Sequence, residues 1–196
     1  MRTLLQYKKP GFTIVELLIV IVIVAILASL TLVGYSAVTK NAYNAQVIAG
    51  VVQYKDTIEA YKAYFRKYPP TARETANERI AMVCLGDGYP SDYCGKISDV
   101  NTYEDPSFNT ELSKIGKGGA VAIEKLAVNA ETFVGAVYGI DWVGTDKSPT
   151  NFARTIQYAL KGKDADCQVD GSYSYALQDS PPMTACEIVL ESVPSR

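Results

Sequence analysis

A long uncharged run near the N-terminus most constrains what this chain can fold into. No charged side chain occurs between Leu17 and Val33, and the stretch can be extended to Val38. A helix of this length is able to cross the roughly 30 Å hydrocarbon core of a bilayer. After about Lys40 the composition becomes that of an ordinary soluble domain. We therefore predict a membrane-spanning segment followed by a soluble one.

The composition of the chain argues against several classes of function. The chain has 196 residues, no histidine and a net charge of -2. Histidine is the commonest general base and the commonest metal ligand, so its absence removes many catalytic and metal sites. The nearly balanced charge gives no reason to expect a nucleic-acid partner. No nucleophile elbow, catalytic triad or phosphate-loop spacing occurs, and we expect neither catalysis nor a cofactor.

One carboxylate, Glu16, directly precedes the uncharged run and lies among the mostly apolar residues Phe12–Leu18. A charge at the centre of a membrane helix costs about 2.5–3.5 kcal/mol, and less near its end. A signal peptide does not fit, because the apolar core is too long, and a plain anchor has no use for Glu16. If the chain were cut between Gly11 and Phe12, the new amine would lie one helical turn from Glu16. The two charges could then neutralise each other, within one chain or between neighbours.

These residues resemble the type IV pilin and pseudopilin family. The matching pattern is a short basic leader ending in Gly11, then Phe12-Thr13-Ile14-Val15-Glu16-Leu17-Leu18, then an unbroken apolar helix. The resemblance implies that a membrane prepilin peptidase cuts after Gly11 and N-methylates Phe12. It also implies that Glu16 pairs with the N-terminus of an adjacent subunit and sets the register of a filament.

The helical pattern continues beyond the apolar run. We predict one helix from Phe12 to Lys67, about 84 Å long at 1.5 Å per residue, which ends before Pro69-Pro70. Many family members carry a proline at the position of Val33, and melting of the helix near Gly34 stays open. The second half of the helix has a single apolar stripe at spacings of three and four. Its members are Val47, Val51, Tyr54, Ile58, Tyr61 and Phe65.

The expected fold is α+β, with a long N-terminal helix packed on an antiparallel β-sheet head. The helix has a membrane-spanning half and an amphipathic half. We divide the chain into a cleaved leader (1–11), a transmembrane and filament-core half (12–38), an amphipathic half (39–68) and a globular head (69–196).

The head is predicted from turn residues and from alternation. Residues 71–118 are rich in turn residues, so we predict a connecting region with little regular structure and a short helix at Thr75–Val83. Apolar or alternating segments further on predict strands. These segments are Ala120–Leu126, Thr132–Val143, Ala153–Leu160, Tyr173–Leu177 and Thr184–Glu191.

Four cysteines lie in the soluble part, and their even number predicts disulfides in an oxidising compartment. Zinc is disfavoured, because no pair has the required spacing and no histidine completes a site. Four cysteines allow three connectivities. We favour Cys84–Cys94 and Cys167–Cys186, which join the cysteines nearest in sequence. By resemblance, the second loop corresponds to the cysteine-bounded D-region of type IV pilins.

An acidic segment near Cys167 superficially suggests calcium. It contains Asp164, Asp166 and Asp170. Val169 and Tyr175 stand where an EF-hand loop needs glycine and glutamate. We therefore predict a polar turn without a metal, and calcium binding stays open.

Taken with the resemblance, these features predict a structural subunit of a type IV pilus-like filament, used for surface attachment, motility or DNA uptake. The implied partners are other copies in a helical filament, the prepilin peptidase, the pilus assembly machinery and membrane lipid before assembly. The chain would be a single-pass membrane protein first, and part of an extracellular pilus or fimbrium on the cell surface afterwards.

Two alternatives stay open. A pseudopilin of a type II secretion or competence machine would use the same helix, and Tyr68-Pro69-Pro70 favours it slightly. The cysteine loop near the C-terminus favours a pilin instead. A solitary membrane-anchored binding domain would keep an uncut N-terminus and stay monomeric.

Overall fold

The fold is known from a computed structural model, which leaves several segments undescribed. It describes residues 11–71, 81–86, 89, 92–97, 100–116, 126–128, 131–133, 135–142, 152–179 and 182–193. The chain divides into two compact units, the first up to Thr39 and the second from Lys40. Residues 1–10 of the predicted leader lie outside the described residues.

The first helix, α1, runs from Ile14 to Phe65 and closely matches the predicted helix. Its backbone stays helical through Gly34. Arg66 adopts a left-handed conformation, with φ of 59°, and this turn ends the helix before Pro69-Pro70. In the first unit, the large apolar side chains from Phe12 to Leu27 are all exposed. Among the described residues, no helix combines the length and the apolar character needed to cross a bilayer.

The second unit contains nine strands and a short helix among its described residues. The strands form one seven-stranded sheet, in the order β2-β3-β1-β6-β7-β9-β8, and a separate β4-β5 pair. The bounds are β1 Ala81–Leu85, β2 Tyr93–Ile97, β3 Val100–Tyr103, α2 Pro106–Leu112, β4 Leu126–Val128, β5 Glu131–Phe133, β6 Ala136–Trp142, β7 Phe152–Lys161, β8 Ser172–Asp179 and β9 Pro182–Val193.

The α+β prediction is confirmed, but the sheet is not wholly antiparallel. β1 pairs with β3 in parallel, through Val83 and Tyr103. β2 and β3 form an antiparallel hairpin, and β3 returns between β2 and β1. The second strand of this hairpin, β3, lies beside β1, and the two strands run in the same direction.

The prediction of little regular structure over residues 71–118 is wrong, because three strands and α2 lie there. The predicted helix at Thr75–Val83 is wrong for its last residues, since Ala81 begins β1. All five residues of β1 are buried. A strand buried on both faces shows no alternation, so periodicity could not reveal it. Residues 75–80 lie outside the described residues.

The later strands agree better with the predictions. β7, β8 and β9 contain the segments predicted at Ala153–Leu160, Tyr173–Leu177 and Thr184–Glu191. The segment predicted at Thr132–Val143 is divided near Gly135, which has φ of 73°, into β5 and β6. Residues 120–125 and Val143 lie outside the described residues.

The main core lies between the amphipathic part of α1 and one face of the sheet. Five members of the predicted stripe are buried, and Phe65 packs partly buried against them. On β7, Ile156, Tyr158, Ala159 and Leu160 belong to this core. On the other face, Met82, Cys84, Tyr89, Cys94 and Val137 form a smaller cluster. The sheet is therefore covered on both faces near β1 and β6.

Candidate assembly site

The start of α1 is organised by Thr13 and Glu16. The Thr13 backbone N–H and hydroxyl both donate to Glu16 Oε2, each at 2.8 Å. The Glu16 backbone N–H lies 3.2 Å from the Thr13 hydroxyl oxygen, which accepts from it. Thr13 precedes the first helical residue and Glu16 is the third residue of the helix, so the pair is a capping box. Glu16 thus has a local role in starting its own helix.

Sequence reasoning missed Thr13, although its signal was present. A threonine followed three residues later by glutamate, just before an apolar run, is a signature of a helix N-terminus. A cut between Gly11 and Phe12 would leave the Phe12–Thr13 peptide bond intact. The Thr13 N–H would therefore remain a donor to Glu16 in a shortened chain.

Gly11 and Phe12 lie outside the regular helix and are accessible. Both are exposed, and Phe12 exposes 78% of its surface. A Cβ placed on Gly11 would have no heavy atom within 4 Å, apart from its chain neighbours. The bond between these residues is thus open to an approaching enzyme.

The helix surface after Glu16 is a continuous exposed apolar area. The segment from Leu17 to Leu27 contains only aliphatic side chains. Each of its large side chains exposes about half of its surface or more. Soluble monomers rarely leave contiguous apolar patches larger than a few hundred Å² in water. Such an exposed apolar surface is typical of sites of interaction with a membrane or another protein.

Both disulfides of the structure join the cysteines that are nearest in sequence. Cys84 of β1 is bonded to Cys94 of β2, with a Cα–Cα distance of 5.9 Å. Cys167, in the loop after β7, is bonded to Cys186 of β9, with a Cα–Cα distance of 5.7 Å. All four cysteines are buried. The two bridges lie toward opposite edges of the sheet, and neither includes a residue of the exposed apolar surface of α1.

The acidic segment after β7 forms a polar turn. Asp166 Oδ1 accepts a hydrogen bond of 3.1 Å from the Gln168 N–H. Asp164 and Gln168 adopt left-handed conformations, with φ of 52° and 56°. In the part of the chain that the structure describes, no three acidic or cysteine side chains are grouped so that they could hold a metal ion.

The segment after α1 is fixed by aromatic rings around Arg154. The guanidinium carbon of Arg154 lies 5.5 Å from the Tyr68 ring centroid and 5.7 Å from that of Tyr138. The Tyr68 hydroxyl donates to the Leu190 carbonyl, and the Tyr138 hydroxyl donates to the Pro69 carbonyl, both at 3.0 Å. The Tyr-Pro-Pro segment therefore anchors the helix end to the sheet.

Comparisons with known proteins point to the same N-terminal region. The family described as prokaryotic N-terminal methylation motif matches residues 7–32. The chain is 31% identical over 65 residues to the type II secretion system core protein G of Pectobacterium carotovorum subsp. carotovorum. The match covers 33% of this chain and 42% of that protein, so the chain spans less than half the length of this curated relative. No solved structure matches.

Proposed function

We propose that this chain, whose residues 7–32 match the prokaryotic N-terminal methylation motif, is a structural subunit that polymerises through α1 into a filament. The observation that carries the proposal is the exposed apolar surface after Glu16. In a filament, the same surface on neighbouring copies would bury this area and remove it from water. The role requires no chemistry of the subunit itself, and we propose no catalytic activity.

Processing would prepare the subunit for assembly. A prepilin peptidase would cut after Gly11, and Phe12 would carry the new, N-methylated amine. The exposure of Gly11 and Phe12 supports this proposal, as does the methylation motif that spans residues 7–32. The cut would also remove the predicted basic leader, whose charges would otherwise have to cross the apolar core of the bilayer when the helix is extracted.

Glu16 would then set the register between subunits. A carboxylate has two oxygens and about four acceptor positions, so the hydrogen bonds from Thr13 do not exhaust it. The amine of Phe12 in an adjacent copy could bind the remaining positions. Any other register would leave two unpaired charges among packed apolar helices, which is costly.

We propose that the chain resides in the membrane through residues 12–38 before assembly, and that the finished filament extends from the cell surface. Its machinery would be that of a type IV pilus. The similarity to a type II secretion system core protein favours a second candidate, a pseudopilin that builds a short filament for secretion. The Cys167–Cys186 loop, which resembles the pilin D-region, supports the pilus.

The experiment that tests the proposal is intact-mass analysis and N-terminal sequencing of protein sheared from cells. We expect sheared filaments whose subunits begin at N-methylated Phe12. Gly11→Val should leave the uncut precursor in the membrane, while Gly171→Ala, at an exposed glycine of the second unit, should be cut normally. An uncut chain that is monomeric in detergent would instead identify a solitary membrane-anchored binding domain. Antibody labelling of long surface fibres would distinguish a pilus from a pseudopilus.

A further inference from the structure

A polar pocket lies between the first part of α1 in the second unit and the loop after β7. Its volume is about 330 Å³. The side chains that matter for its chemistry are Lys40, Lys161, Lys163, Asp164 and Asp166. The pocket is thus lined by three lysines and two aspartates.

Contacts between α1 and the loop shape this pocket. Gly162 has φ of +116°, and a Cβ there would come within 3.0 Å of the Lys40 Nζ. The glycine therefore lets the Lys40 ammonium lie against the loop backbone. The Lys161 ammonium lies 4.5 Å from the centroid of the Tyr43 ring, which favours its position through a cation–π contact. The arrangement holds cations around the pocket on two separate elements.

A ligand with separate negative and positive groups matches these charges. Lysines bind phosphate as point charges, while aspartates accept hydrogen bonds from a primary ammonium. A ligand with only a negative charge would meet Asp164 and Asp166 at the same pocket, at an electrostatic cost. The mixed lining therefore favours a zwitterion over a simple anion.

The position of Lys40 in the sequence indicates where such a ligand would come from. Lys40 is the first charged residue after Glu16. A helix over residues 17–39 is about 34 Å long at 1.5 Å per residue, slightly more than the roughly 30 Å apolar core of a bilayer. If these residues span the bilayer, Lys40 lies at the level of the phospholipid headgroups.

We propose that this pocket binds the phosphoethanolamine headgroup of a membrane phospholipid. Lys40 and Lys163 bind the phosphate, and Asp164 and Asp166 bind the ammonium. The contact holds the second unit at the membrane surface until the subunit is extracted into a filament. This inference rests on the proposed membrane stage, and it adds a lipid-binding site that filament assembly alone does not require.

The test is native mass spectrometry of the full chain in micelles that contain equal amounts of phosphatidylethanolamine and phosphatidylcholine. Phosphatidylcholine has the same phosphate, but its quaternary ammonium cannot donate hydrogen bonds. We expect the wild-type chain to retain several-fold more phosphatidylethanolamine. The preference should disappear in Asp164→Asn/Asp166→Asn, whereas Lys40→Gln/Lys163→Gln should lower the retention of both lipids, because both lipids carry the phosphate. The matched control Lys55→Gln/Lys67→Gln changes one lysine of α1 and one just after its end, both outside the pocket, and should keep the preference.

Three results would overturn the proposal. The first is equal retention of both lipids by the wild-type chain. The second is a stronger preference for phosphatidylglycerol, which has no ammonium, and which would reject the role of the aspartates. The third is unchanged retention of both lipids in pocket variants that fail to form filaments, which would assign the pocket to a neighbouring copy. Cleavage after Gly11 is scored separately in cells, so a failure of the proposed function is distinguished from a failure of the lipid site.

Discussion

The Asn44 side chain forms two hydrogen bonds with the backbone of Lys161. Asn44 Nδ2 donates to the Lys161 carbonyl and Asn44 Oδ1 accepts from the Lys161 N–H, both at 2.9 Å. One side-chain amide therefore forms hydrogen bonds with both backbone groups of the last residue of β7. It connects this strand to α1, although the two residues are 117 positions apart in the sequence. The same contact holds Lys161 and the loop that follows it in place.

We predict that Asn44→Ala destabilises the second unit by about 1–3 kcal/mol, because a part-buried backbone donor and acceptor lose their partner. Asn44→Asp should also destabilise it, since a carboxylate cannot donate to the Lys161 carbonyl. Urea unfolding of the full chain in detergent measures both. Asn41→Ala, at an exposed position of the same helix, is the matched control and should leave the midpoint nearly unchanged.

Gly139 should tolerate no side chain. Its φ is +154°, and a Cβ there would lie 1.9 Å from the carbonyl oxygen of Ala81 in the neighbouring strand. We predict that Gly139→Ala destabilises the sheet by more than about 3 kcal/mol, because β1 must move away from β6. Gly171→Ala is the control, since Gly171 also has a positive φ, +79°, but open space around it. It should cost only about 1 kcal/mol. Equal midpoints for the two variants would contradict the close approach of β1 and β6.

Alkaline pH should weaken the contact between α1 and α2. The Tyr61 hydroxyl donates to Glu111 Oε2 at 2.8 Å. Burial, with help from this carboxylate, raises the pKa of Tyr61 from 10.0 to about 12. The unfolded chain then releases the phenol proton at lower pH than the folded chain, so this stabilisation is complete below pH 10 and is lost toward pH 12.

The measurement is the free energy of unfolding as a function of pH for the wild-type chain and Tyr61→Phe. Between pH 10 and 12 the wild-type stability should fall more steeply, because phenylalanine has no proton to release. Other tyrosines titrate in this range in both proteins, so the difference between the curves isolates Tyr61. Parallel curves would show that the Tyr61 pKa does not change on folding.

The two disulfides should form in the exported protein. Loop closure predicts that loss of Cys167–Cys186 costs about 3 kcal/mol, and the Cys167→Ser/Cys186→Ser double variant measures this by urea unfolding. Peptide mapping without reduction should recover Cys84–Cys94 and Cys167–Cys186 and no free thiol. A Cys94–Cys167 link would contradict this connectivity.

Sequence patterns predicted the parts of the fold with clear periodicity. The stripe from Val47 to Phe65 identified α1, because one face of the helix is buried. Alternation around Ile156 identified β7, because apolar Ile156 and Tyr158 alternate with polar Thr155 and Gln157, although the strand is buried on both faces. The β1–β3 region was missed because its strands are short and because β1, buried on both faces, has no alternation. The capping role of Thr13 was predictable from its spacing to Glu16. The contacts of Arg154 with Tyr68 and Tyr138 were not predictable from the sequence, because they join segments that only the tertiary fold brings together.

Glu16 has two possible roles, and two substitutions separate them. Glu16→Gln keeps an acceptor for Thr13, since glutamine also completes a capping box, but it removes the charge that would pair with the Phe12 amine. Thr13→Ser keeps the hydroxyl that caps the helix and also leaves the charge in place. If only the cap matters, both variants should assemble like the wild-type chain.

We propose that the charge of Glu16 sets the register between subunits, and the decisive measurement is the yield of sheared filaments from Glu16→Gln. Removal of one partner from a buried pair costs about 3–5 kcal/mol, which weakens association at least about a hundredfold. We predict that Glu16→Gln and Glu16→Val are inserted and cut after Gly11 but yield almost no filaments, whereas Thr13→Ser yields wild-type amounts. Abundant filaments from Glu16→Gln, at wild-type levels of cut subunit in the membrane, would show that the charge of Glu16 does not set the register.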